Sequence, residues 1–146
     1  MSTREAADKA MHHRVLIIDD EESMRLVLAR ILVTTMHAEV TLAGTCEQAL
    51  HLAGSYAYDA ILLDLLMPGI GGYEVLRRLR RASPNVTTPV IIVSVLADAT
   101  TQNRCMKAGA TGYLVKPVER NSLVATVKAQ MASRGKPKPN GKDEHA

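Results

Sequence analysis

Three segments of this chain, VLII at 15–18, AILL at 60–63 and VIIV at 90–93, are apolar without interruption. A strand wetted on one face alternates apolar and polar residues, so short unbroken runs call for burial on both faces, as in a parallel sheet covered by helices on either side. Segments of helical spacing separate these runs. RVLIID precedes EESMRLVLARILV, AEVTLA precedes CEQALHLAG, DAILLD precedes GGYEVLRRLRR, PVIIVS precedes DATTQNRCMKAG, and GYLV precedes ERNSLVATVKAQM. Five strand and helix pairs in this order predict an α/β fold, a doubly wound (βα)5 sandwich on a parallel five-stranded sheet. AEVTLA alternates more than the others and is expected at an edge. In the first helix Met24, Val27, Leu28 and Ile31 fall at i, i+3, i+4 and i+7, which predicts the stripe that packs on the sheet, with Arg25 and Arg30 turned outward.

A length of 146 residues suits one such domain. Residues 13–132 carry the periodic pattern. Residues 1–12 do not, and SRGKPKPNGKDEHA, residues 133–146, reads as a flexible basic tail. No apolar run approaches the roughly 18 residues of a membrane span and no secretory signal is visible, so a soluble, cytoplasmic protein is expected. The net charge of +3 is mostly in the tail, which holds four cations and two carboxylates; residues 1–12 balance, and +1 is left for 13–132. That charge gives no support to direct nucleic-acid binding, and no membrane partner is expected. Cys46 and Cys105 lack the spacing of a metal or redox pair and read as free thiols. His12 and His13 read as a solvated lead-in, and Arg77, Arg78, Arg80 and Arg81 as a solvated helix face.

Ligands of an open parallel sheet bind outside the carboxyl ends of its strands. Those ends carry Asp19 and Asp20 after the first strand, Asp64 after the third, Ser94 at the fourth and Lys116 after the fifth. Each has a bland explanation taken alone. Asp20, Glu21 and Glu22 favour a helix N-terminus, Asp64 precedes a Pro-Gly turn, Ser94 suits a cap, and Lys116 suits a surface. Four bland explanations at four corresponding strand ends are less economical than one shared site. Clustered carboxylates repel unless a cation sits among them. An all-oxygen donor set suits Mg²⁺, and Mg²⁺ with an ammonium and a hydroxyl is equipment for holding a phosphoryl group, which on a carboxylate nucleophile gives an aspartyl phosphate.

The motifs VLIIDDEE, ILLDLLMPGIGG, VIIVSVLAD and GATGYLVKP, in this order and spacing, resemble the receiver domains of two-component response regulators, in particular the single-domain chemotaxis type. The resemblance covers about residues 13–132. It implies a flavodoxin-like sheet of order 2-1-3-4-5, and a phosphorylation-activated domain rather than an enzyme. Asp64 would accept phosphate from a sensor histidine kinase or a histidine phosphotransfer protein, and the output would be contact with a downstream protein, as a monomer or a phosphorylation-dependent dimer. Asp20, Asp64 and the backbone carbonyl of Leu66 would ligate Mg²⁺, with Asp19 acting through metal-bound water. Lys116 and Ser94 would hold phosphoryl oxygens, Tyr113 would move inward with Ser94 as a switch, and the Lys116-Pro117 peptide would be cis. The chain departs from the family at Gly71-Gly72, where Asp-Gly is usual, at Ser94, where threonine is commoner, and at Val95, where a small residue is usual and a branched one is expected to crowd the phosphoryl pocket. Leu66 and Leu96 occupy the positions two after the phosphoacceptor and two after the hydroxyl residue, where polar side chains would position a hydrolytic water. Slow autodephosphorylation is therefore expected. The alternatives are a pseudo-receiver that works without phosphorylation, and a small haloacid-dehalogenase-like phosphatase, which would need a second aspartate soon after the nucleophile that LLMPG does not supply.

Overall fold

The side chains of each central strand divide between two cores. Leu16, Ile18, Ile61, Leu63, Val90 and Ile92 point to one face, and Val15, Ile17, Ala60, Leu62, Ile91 and Val93 to the other, all of them buried. This period-2 division is why the runs carry no polar residue: both faces are covered. The computed structural model describes residues 12–134. Its strands are β1 (Arg14–Ile18), β2 (Glu39–Ala43), β3 (Ala60–Leu63), β4 (Val90–Ser94) and β5 (Gly112–Val115). Its helices are α1 (Glu22–Met36), α2 (Cys46–Ser55), α3 (Gly71–Arg81), α4 (Ala99–Ala108) and α5 (Arg120–Ser133). The strands form one parallel sheet in the order β2-β1-β3-β4-β5. The doubly wound (βα)5 expectation holds, and β2 is at an edge as its alternation implied. The helices α1 and α5 bury Leu28, Leu32, Leu123 and Val127 against one face, while α2, α3 and α4 bury Ala49, Ala53, Val75, Leu76, Leu79 and Cys105 on the other.

Local chemistry sets several boundaries. Thr45 caps α2 by accepting the Gln48 N–H at 3.0 Å, and Asp98 caps α4 by accepting the Thr101 N–H at 2.9 Å. Gly109, with φ of 116°, ends α4 in the left-handed conformation that costs glycine little. No helix among the described residues is long and apolar enough to cross a membrane. Cys46 and Cys105 are both buried and free.

Three expectations change. Val27 is 53% exposed, and the buried stripe of α1 runs through Leu28 and Leu32, with Met24 and Ile31 packed beside it. The helix is rotated so that Arg25 does not face outward: its guanidinium donates to the Asp19 carbonyl at 2.7 Å. The boundary between domain and tail moves two residues later, since α5 reaches Ser133 and Arg134 donates to the Tyr58 carbonyl at 2.9 Å. The expected flexibility of residues 1–11 and 135–146 concerns segments outside the described residues.

Candidate functional site

The parallel register delivers the chemistry. Ile18 pairs with Leu63, Leu63 with Ile92, and Ser94 with Val115, so residues at or just past these positions emerge along one rim. There Asp19, Asp20 and Asp64 each offer an oxygen, all within 4.8 Å of one another. Asp19 and Asp64 are buried, Asp20 is exposed, and Lys116 reaches in with an Nζ at 2.9 Å from Asp19 Oδ2 and 3.4 Å from Asp64 Oδ2. The Lys116-Pro117 peptide is cis.

The two buried carboxylates are also braced by backbone. Asp19 Oδ1 accepts the Glu21 N–H at 2.9 Å, and Asp64 Oδ1 accepts the Leu66 N–H at 3.2 Å. Arg25, bonded to the Asp19 carbonyl, fixes the same turn from below, and nothing in the periodicity pointed to it. Gly72 is a second unforeseen contributor. A Cβ there would overlap the Asp64 carbonyl oxygen and lie 2.8 Å from Leu65 Cα, so the turn after Asp64 closes this tightly only on glycine. The turn also places Gly69 and Gly71 at φ of 90° and 82°. Gly71, where the family usually has Asp, opens α3, and Ile70 at the N-cap makes no side-chain capping bond.

Three carboxylates against one ammonium leave the rim short of positive charge. Burial raises the Asp64 pKa above the usual carboxylate range, and the Asp19 charge pushes the same way, while Lys116 and the Leu66 N–H pull back only in part. Burial alone would lower Lys116, but the Asp19 hydrogen bond and both carboxylate charges outweigh it and hold the ammonium above its ordinary value. The donors are all hard oxygens in a partly buried cup, with one face opened to solvent by Asp20. That chemistry fits a hard divalent cation such as Mg²⁺.

Ser94 is fully buried at the end of β4, and its hydroxyl accepts the Leu96 N–H at 3.2 Å rather than meeting a carboxylate. Tyr113 is half-buried on β5 and donates from its hydroxyl to the Leu96 carbonyl at 2.6 Å. Both residues therefore hold the loop between β4 and α4. Burial raises the Tyr113 phenol pKa. Val95 and Leu66 stand 57% and 52% exposed, while Leu96 is partly buried.

The model of the response regulator receiver domain matches residues 15–128. Over 118 residues the chain is 39% identical to the sensory/regulatory protein RpfC of Xanthomonas campestris pv. campestris, covering 78% of this chain and 16% of that one. It is 33% identical over 122 residues to the response regulator GacA of Pseudomonas aeruginosa, covering 83% and 56%. The chain thus spans a small part of the first relative and about half of the second. Among solved structures, the receiver domain of the sensor histidine kinase PA1611 from Pseudomonas aeruginosa superposes with a TM-score of 0.76 at 28% identity, covering 84% of this chain and 99% of that one, and it holds a magnesium ion in its active site cleft.

Proposed function

The chain belongs to the response regulator receiver domains, and from that premise we propose that Asp64 is its phosphoacceptor, charged by a phosphohistidine of a sensor histidine kinase or a histidine phosphotransfer protein. The observation that carries this reading is the pair of buried carboxylates, Asp19 and Asp64, joined by the partly buried Lys116, with Asp20 beside them at the carboxyl rim. In the transfer, an Asp64 carboxylate oxygen attacks phosphorus, the P–N bond of the donor breaks, and its electron pair stays on the imidazole. Asp19, Asp20, Asp64 and the Leu66 carbonyl would hold Mg²⁺, as the magnesium of the PA1611 receiver supports. The ion supplies positive charge for the phosphoryl oxygens. Lys116 exchanges its Asp64 contact for a phosphoryl oxygen, which costs little because Asp19 keeps the ammonium anchored. Ser94 releases the Leu96 N–H and donates its hydroxyl to the phosphoryl group; the loop then follows, and Tyr113 with it, as the switch.

The matched family is one of signalling domains, not of catalytic enzymes, and the signal would leave by contact with a downstream protein. Incubation with a phosphohistidine donor and Mg²⁺ should place one acid-stable, base-labile acyl phosphate on Asp64. Full labelling of an Asp64→Asn variant would contradict the assignment.

A further inference from the structure

The four-arginine run of α3 does not behave as one solvated face. Arg77 and Arg78 pair with Glu74 at 3.0 and 3.1 Å. Arg80 is a structural residue, donating to the carbonyls of Gly109 and Asn85 at 2.9 Å and of Val86 at 3.0 Å. Arg81 has another setting. Tyr73, Arg77 and Arg81 stand at i, i+4 and i+8 on α3, opposite Arg104, Lys107 and Ala108 of α4, and together they line a groove of about 380 Å³. Its volume is within the range of small-ligand sites.

Charge is concentrated here. The helices α3 and α4 carry six cations and one carboxylate, Glu74, although residues 13–132 net only +1. Among the described residues no carboxylate comes within ion-pair distance of Arg81, Arg104 or Lys107, so three of the four cations in the groove face one another without a protein counter-charge. The groove also has a flat element. The Arg104 guanidinium lies over the Tyr73 ring at 4.3 Å from its centroid, joining the two helices by a cation–π stack. Arginine forks match phosphate oxygens in pairs, and a guanidinium on an aromatic ring is a platform on which a heterocyclic base stacks. A run of carboxylates would use the cations and leave the platform idle.

We propose that the groove between α3 and α4 is a nucleotide site, taking phosphates on Arg77, Arg81 and Lys107 and the base against Arg104 and Tyr73. It stands apart from the Asp64 rim and does not depend on the phosphoacceptor reading. The test is calorimetric titration of the full chain, free of divalent cations and at low salt, with ATP, inorganic pyrophosphate, a hexaglutamate peptide and a single-stranded RNA hexamer, beside an NMR titration with ATP. ATP should bind saturably and shift Tyr73, Arg77, Arg81, Arg104 and Lys107. Arg81→Glu with Lys107→Glu, both exposed, should weaken ATP by about tenfold or more through the loss of charge-assisted bonds. Arg104→Gln should weaken ATP more than pyrophosphate, which loses no stacking. Saturable binding of the hexamer with the same variant losses identifies a nucleic-acid strand as the source of the nucleotide; binding of ATP alone identifies the free molecule. Absence of saturation by both ATP and RNA, pyrophosphate or hexaglutamate binding as tightly as ATP, or an unchanged affinity in the charge-reversed variant overturns the proposal.

Discussion

Polar groups are buried at both ends of the same sheet, and the two ends treat them in opposite ways. At the amino end Asn85 is fully buried with every side-chain valence met by protein. Its Oδ1 accepts the Tyr58 N–H at 2.8 Å and the Thr88 hydroxyl at 2.9 Å, and its Nδ2 donates to the carbonyls of Ala53 and Tyr56, both at 2.7 Å. Arg134 then covers the Tyr58 carbonyl. At the carboxyl end two buried carboxylates share one ammonium, and a third stands at the opening. A neutral amide that closes its own hydrogen-bond set stabilises the fold. A buried charge cluster that stays short of cations is poised for an external one.

The largest expected contrast is between cutting the one cation and adding another. Lys116→Met leaves Asp19 and Asp64 without their partner and should cost about 3 kcal/mol of stability in metal-free solution. Urea unfolding should show that loss shrinking on addition of Mg²⁺, since the ion takes over the missing charge. A loss unaffected by Mg²⁺ would mean that the two ends differ less than their geometry suggests. Asn85→Ala comes next. It strands the buried Tyr58 N–H and Ala53 carbonyl and should cost about 2 kcal/mol or more. Here Mg²⁺ should give back no more than it gives the native protein.

A smaller effect concerns how long a phosphoryl group on Asp64 would last. Leu66 and Leu96 offer no hydrogen bond to a hydrolytic water, and Leu66 stands at the rim. Leu66→Asn with Leu96→Glu should speed phosphate release by about tenfold, less than the hundredfold or more of a fully placed general acid or base, because these side chains only orient the water. Equal release from both proteins would remove the leucines from the account of the site. The smallest effect is at the α4 cap. The Thr101 N–H holds the Asp98 carboxyl below its usual pKa, and the Thr101 hydroxyl adds to this. Its stabilisation is therefore present above the unfolded-state pKa and fades as pH falls through the lower folded value. Asp98→Ala should lower the Tm at neutral pH and converge with the native protein in acid.

Much of this was legible in the chain because it is periodic. Apolar runs marked β1, β3 and β4, alternation marked the β2 edge, and strand ends marked Asp19, Asp20, Asp64, Ser94 and Lys116. What was hidden depends on rotation and close approach, which spacing does not encode. Val27 and Leu28 both fit a helical stripe, and only packing on β1 decides that Leu28 is inside. Arg25 reads as surface until its guanidinium is found on the Asp19 carbonyl. Gly72 reads as a weak helix start, although its missing Cβ is what lets the backbone after Asp64 turn so closely. The arginine run reads as one face, but Arg77 and Arg78 close on Glu74, Arg80 is used on backbone carbonyls, and Arg81 joins Arg77 at the groove. Tail composition hid the anchoring of Arg134, since charge alone does not reveal an available carbonyl.

The most direct test of the contrast is thermal unfolding of the native protein, Asp64→Asn and Asn85→Ala across a Mg²⁺ titration. Native protein and Asn85→Ala should gain several degrees in parallel as the ion saturates the folded state, from different starting points, and Asp64→Asn should gain little. A native Tm that is indifferent to Mg²⁺, or an Asp64→Asn variant that gains as much as the native protein, would contradict the reading of the carboxyl rim as an incomplete cation site.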